Sequence, residues 1–212
     1  MKIIYSFLIA LIFYVPFTHA QGAKNSIRLF NGKTFAGWQG DTAKIWHIRD
    51  GALVGGSLTE MTAHNEFIKT TKTYSNYSLR LKFKLTGTEG FVNGGVQFHS
   101  QRISNPDFEM TGYQADIGDG FWASLYDESR RDKLLAIADT NQVKRLLRRN
   151  DWNDYEIRTA GKRIQIFLNG ERTVDYTEED PAIPQSGYIA FQLHGGGKTA
   201  VFYKDIFLEQ LR

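Results

Sequence analysis

The chain has 212 residues, 42% of them hydrophobic, and a formal net charge of +3 at pH 7, which suits one domain able to bury its own core. It holds no Cys, which excludes disulfides, thiolate chemistry and a lipid-modified N-terminal Cys. Basic and acidic residues are interspersed, so the concentrated basic stripe that nucleic acid requires is missing; the local cluster Arg145, Arg148 and Arg149 reads as a solvated face.

Lys2, the apolar run Ile3–Val15, Pro16 and then Thr18-His19-Ala20 have the order of a secretory signal peptide. The run is too short for a comfortable membrane span, which needs roughly 20 residues. Residues 1–20 are therefore expected to be removed, with export to the periplasm or the extracellular space and no stable span afterwards. A single domain is expected over residues 25–212.

Strand signals then recur along the chain. Trp46–Ile48 and Ala52–Val54 flank Asp50-Gly51, a hairpin turn pair. Leu79, Leu81, Phe83 and Leu85 alternate with Arg80, Lys82 and Lys84. The same period of two runs through Ile164, Ile166 and Leu168, through Ile189, Phe191 and Leu193, and through Val201, Tyr203 and Asp205. Each pattern marks a strand with one face in a core. Asn169-Gly170 is a second hairpin signal, Asn141–Arg149 is a short helix candidate, and Trp152 reads as core. Many short strands with regular turns predict an all-β, two-sheet antiparallel sandwich.

The faces turned away from the core carry the candidate chemistry. Gln97 and His99 alternate with Val96 and Phe98; Gln114 and Asp116 alternate with Tyr113, Ala115 and Ile117; Gln192 and His194 oppose Phe191 and Leu193. On neighbouring strands these six would line one polar surface. Amides, imidazoles and a carboxylate exchange hydrogen bonds well with sugar hydroxyls, so carbohydrate is the expected ligand. The segment Gly118–Arg131 adds Trp122 as a stacking face, Tyr126, and Arg130 and Arg131 as anchors for a carboxylate. Phosphate-loop, G-x-S-x-G and helical His/Glu metal patterns are missing. His99, His194 and Asp116 are a weak candidate metal set, and the sequence names neither a metal nor a cofactor.

Leu29-Phe30-Asn31-Gly32-Lys33-Thr34-Phe35-Ala36-Gly37-Trp38 resembles the opening motif of the 3-keto-disaccharide hydrolase domain family. Asn93–Phe98, Gly112–Ile117, Asp151–Tyr155, Leu168-Asn169-Gly170 and Gly187–His194 resemble its later motifs, in order. Two positions depart from it: many members carry Glu where Gln114 stands and Arg where His99 stands. The resemblance implies a jelly-roll sandwich of the concanavalin A-like lectin/glucanase type. It also implies cleavage of glycosides already oxidised at C3, by hydrolysis or elimination, with a carbohydrate-binding module as the alternative. The E-x-D-x-x-E strand signature of jelly-roll β-glucanases is missing from the chain. Elimination needs a base for the C2 proton, a donor to the enolate oxygen and an acid for the leaving oxygen. Asp116 or His99 is the expected base. His194, Arg130 or Arg131 is the expected oxyanion partner, and a protonated His or Tyr126 the acid. Gln97, Gln114, Trp122 and Gln192 are expected to bind substrate.

Overall fold

A computed structural model describes residues 26–211, so the expected signal segment lies outside the described residues. In chain order the strands are Ser26–Arg28 (β1), Trp38–Gln39 (β2), Trp46–Arg49 (β3), Ala52–Gly56 (β4), Glu66–Tyr74 (β5), Tyr77–Gly90 (β6), Asn93–Arg102 (β7), Met110–Gly118 (β8), Leu125–Glu128 (β9) and Lys133–Ala136 (β10). A helix, Thr140–Leu146 (α1), precedes Asn153–Ala160 (β11), Arg163–Leu168 (β12), Glu171–Thr177 (β13), Gly187–Leu193 (β14) and Gly197–Gln210 (β15). They form two antiparallel sheets packed as a jelly-roll sandwich. One sheet runs β13-β12-β11-β6-β15-β4-β3, with β1 also on β15; the other runs β10-β9-β8-β7-β14-β5-β2. Among the described residues no helix is long and apolar enough to cross a membrane.

The alternation places the core where expected. Leu79, Leu81, Phe83 and Leu85 from β6 meet Val96, Phe98, Tyr113, Ala115 and Ile117 from the facing sheet. Both predicted turn pairs have the two positive φ angles of a tight hairpin turn: Asp50 at 51° and Gly51 at 75°, Asn169 at 49° and Gly170 at 88°. The helix starts on Asp139, whose carboxylate accepts from the Gln142 N–H at 2.7 Å. It ends at Leu146 rather than Arg149, because Asn153 captures both backbone groups of Arg148.

Two of the register shifts turn residues away from the face that a period of two would give them. In β15 the register shifts between Lys204 and Phe207, with Asp205 at φ 51°. Val201 and Tyr203 point inward before it, and Ile206 and Leu208 after it. The second bulge lies between Phe98 and Gln101 of β7, with His99 at φ 48°. Trp152, expected in the core, stands half-buried outside it, edge-on to Phe202 at 6.2 Å on the outer face of the eight-stranded sheet.

The two sheets are tied by more than packing. Tyr203 stacks on Phe191 at 4.1 Å, and its hydroxyl donates to the carbonyls of Gly95 and Gln192 at 3.0 and 3.2 Å. The Tyr155 hydroxyl donates to the Asp116 carbonyl at 3.1 Å. Each such buried bond contributes about 1 kcal/mol, and each leaves an unpaired polar group if broken.

Candidate active site

Four neighbouring strands of the seven-stranded sheet turn polar side chains away from the core. β9 buries Leu125 inward and presents Tyr126 and Glu128. β8 presents Gln114 and Asp116, β7 presents Asn93, Gly95 and Gln97, and β14 presents Gln192, with His194 just after it. A cavity of about 140 Å³ opens over them, floored by Gln114, Asp116 and Glu128 and walled by Asn93, Tyr126 and His194. Phe91 and Phe121, 6.4 Å apart and edge to face, form its apolar side.

Two glycines make the floor possible. A Cβ on Gly95 would stand 2.6 Å from the side chain of Gln114, and one on Gly118 would stand 2.4 Å from the amide of Asn93. Only a bare backbone at these positions lets both amides lie flat across the strands.

The Gln114 amide then bridges two acids. Its Nε2 donates to Asp116 Oδ1 at 2.9 Å and to Glu128 Oε2 at 3.3 Å, while Gln192 Nε2 donates to the same Glu128 oxygen at 3.5 Å. Burial pushes the Asp116 carboxyl well above the usual carboxylate range; the Gln114 bond offsets part of this and the charge of Glu128 adds to it. Burial likewise pushes Glu128 up to about 7, helped by the charge of Glu109 and opposed by the Gln192 bond. At neutral pH Glu128 thus sits near its midpoint, and burial favours the protonated form of Asp116 beside it. His194 Nδ1 lies 2.7 Å from the Gly195 carbonyl, which can only accept. That fixes a proton on Nδ1 and leaves Nε2 as the acceptor of the uncharged ring.

Three loops knit one flank of the cleft. Asn65 donates to Glu109 Oε2 at 2.9 Å and accepts from the Gly195 N–H at 3.1 Å, and His64 stacks on Phe108 at 4.1 Å.

Residues 25–209 match the family described as the 3-keto-alpha-glucoside-1,2-lyase-like domain. The chain belongs to this family. None of the curated proteins matches it in sequence. Among solved structures it is similar to a candidate glycosyl hydrolase from Parabacteroides distasonis, at 23% identity and TM-score 0.65, over 89% of this chain and 94% of that one. It is similar to the family 66 carbohydrate-binding module of Bacillus subtilis, at 17% and 0.63, over 82% and 96%. It is also similar to the β-glucanase of Bacillus licheniformis, at 12% and 0.57, over 91% and 100%. At these identities the likeness is one of fold, shared by enzymes and binding modules alike.

In this member of the family, Asp116, Gln114, Tyr126 and His194 reach the cleft as the sequence suggested. Gln192 and Gln97 lie on the same face but are sealed from solvent beside it, and Gln97 has neither amide atom paired among the described residues. Four predicted residues lie elsewhere. His99 is turned inward by the β7 bulge and packs against Tyr77, Phe98 and Tyr113 at 5.7–6.2 Å. Burial, with the Arg130 charge nearby, lowers its pKa to about 4. It therefore cannot join Asp116 and His194 on one ligand. Arg130 and Arg131 follow the turn after β9 to the opposite side, where both clamp the fully buried Asp127 and Arg131 also holds Glu178 at 2.7 Å. Trp122 stacks on Phe83 at 6.2 Å, its indole donating to Asp119, away from the cleft. Glu128, Asn93, Phe91 and Phe121 were not anticipated. The signal for Glu128 was its spacing of two from Tyr126.

Proposed function

We propose that this protein is exported and cleaves 3-keto-glycosides by elimination across C1 and C2, in the cleft over Asp116 and Glu128. The observation that carries the reading is the shared Gln114 amide. It joins one carboxyl whose protonated form is favoured by burial to a second poised near neutral pH. Such a pair supplies an acid and a base at the same pH. Membership of a family described as 3-keto-alpha-glucoside-1,2-lyase-like supports this substrate class.

The C3 ketone acidifies the hydrogen on C2. Glu128 takes that proton, and the electron pair is held as an enolate on the C3 oxygen. Tyr126 O–H and the Asn93 amide are the wall donors that stabilise it. When the carbonyl re-forms, the pair moves into a C1–C2 double bond and expels the glycosidic oxygen. Asp116 gives that oxygen its proton. The products are the alcohol of the aglycone and a 1,2-unsaturated 3-keto sugar. Atoms balance without a co-reactant, and a proton returned from Glu128 to Asp116 through solvent resets the pair. The sugar ring rests on Phe91 and Phe121, apolar faces of the kind that suit its C–H surface. His194 Nε2 accepts from a sugar hydroxyl.

Incubation with a nitrophenyl 3-keto-glucoside tests this. Nitrophenolate should appear together with the ultraviolet absorbance of a conjugated enone, and neither should appear with the unoxidised glucoside. Binding without any release would overturn the enzymatic reading in favour of a binding module. Release at an unchanged rate in Glu128→Gln would overturn the assignment of the base.

A further inference from the structure

The outer face of the eight-stranded sheet, on the far side of the sandwich from the cleft, carries a separate cluster. Phe202 of β15 lies between Val54 of β4 and Lys84 of β6 in the register of the sheet. Trp152 leans on it from the residue just before β11. Lys204 Nζ sits 3.9 Å from the Trp152 ring centre and Lys84 Nζ 4.4 Å from that of Phe202, with Arg49 Cζ 5.0 Å from the same ring. These groups line an open hollow of about 480 Å³ whose one acid is Asp50.

Three cations converging on two rings repel one another, and a fold that needed only stability would place acids among them. Among the described residues none of the three is ion-paired, while the adjacent Lys82 is neutralised by Asp154. The rings hold the cationic heads in place by cation–π attraction, which costs less side-chain entropy at the moment an anion arrives. We propose that this hollow is a second binding site, for the carboxylate or sulfate groups of an acidic polysaccharide. Charge complementarity selects an anion. The capped aromatics argue against a membrane surface, because Phe202 is only 8% exposed and both rings lie under the cations rather than protruding for insertion. The cleft is not the polyanion site, since no Lys or Arg lines it and the carboxyls of Asp116 and Glu128 form its floor. The proposal does not depend on the cleft's chemistry.

Electrophoresis of the purified protein through gels containing polygalacturonate tests it, with neutral dextran and phosphatidylglycerol vesicles as comparisons. Polygalacturonate should retard the protein and dextran should not. The double variant Lys84→Gln, Lys204→Gln should bind roughly tenfold more weakly, with a shallower dependence on salt. Glu128→Gln should bind as the unmodified protein does. If the double variant does not fold, Arg49→Gln, at the exposed end of β3, should weaken retention about threefold. Equal retention of wild type and variants, equal retardation by dextran, or binding to the vesicles alone would each overturn the proposal.

Discussion

Replacing Glu128 by Gln should stabilise the protein at alkaline pH while removing its turnover. The wild-type carboxyl titrates near 7 in the folded protein against an ordinary value of 4.5. The folded state therefore binds the proton more tightly than the unfolded chain does. Below about pH 4.5 both states are protonated and no penalty exists. As pH rises from 4.5 through 7 the unfolded chain ionises first, and stability falls until the folded group ionises too. A gap of about 2.5 units at 1.36 kcal/mol each amounts to roughly 3 kcal/mol, fully present above about pH 8. Gln keeps the shape and still accepts from Gln114 and Gln192 through Oε1, but it carries no charge to desolvate. Its removal also eases ionisation of Asp116, which acts in the same direction. Urea unfolding of both proteins between pH 4 and 9 measures the difference directly; His99 titrates in both and cancels. Glu128→Gln should match wild type near pH 4 and exceed it by about 2–3 kcal/mol at pH 8. A variant less stable at pH 8, or a difference independent of pH, would refute the idea that Glu128 is held against its own solvation.

Asp116→Asn should lower kcat on a 3-keto-glycoside by about 10²–10⁴-fold and remove the alkaline limb of the pH profile, while the acidic limb near 7, set by Glu128, persists; a profile with both limbs intact would take Asp116 out of the acid's role. Gly95→Ala forces the Gln114 side chain from a position 2.6 Å from the new methyl, so kcat should fall at least about tenfold with little loss of thermal stability, and an unchanged kcat would show that the bridge is dispensable. His99→Asn, which suits the positive φ at this site, should leave kcat within about threefold. It should also abolish the acid-side loss of stability, about 3 kcal/mol between pH 6.5 and 4, that a histidine kept uncharged at a pKa of about 4 imposes; a hundredfold drop in kcat would return His99 to the mechanism.

The sandwich was legible because its strands are amphipathic over long stretches: β6, β12 and β14 each carry three or more apolar residues at a spacing of two. Gln114 and Asp116 followed from the same regularity in β8. Parity reasoning fails at bulges, and neither bulge is announced by glycine, since His99 and Asp205 themselves take the positive φ. One inserted residue sent His99 to the other side of the sheet. Glu128 was hidden because β9 has only four residues, too few for a period to show. Arg130 and Arg131 were close to the site in sequence, yet the turn at Ser129 carries them to Asp127, whose side chain points the other way. Trp122 was misjudged because an indole in a turn can pack back onto the core as readily as it can face a ligand, and Phe83 is there to receive it.

The tyrosine hydroxyls that cross the sandwich bear on how this protein should fail when heated. The strands beneath the cleft hang from Tyr155 and Tyr203 through the carbonyls of Asp116, Gly95 and Gln192. The floor of the cleft is therefore coupled to the central layer of the sandwich. Loss of activity and loss of the whole structure should coincide on a temperature ramp, with no inactive yet folded species in between. Slowly exchanging amides should be found directly under the floor of the cleft, in contrast to the many binding and active sites that belong to the softest part of a molecule.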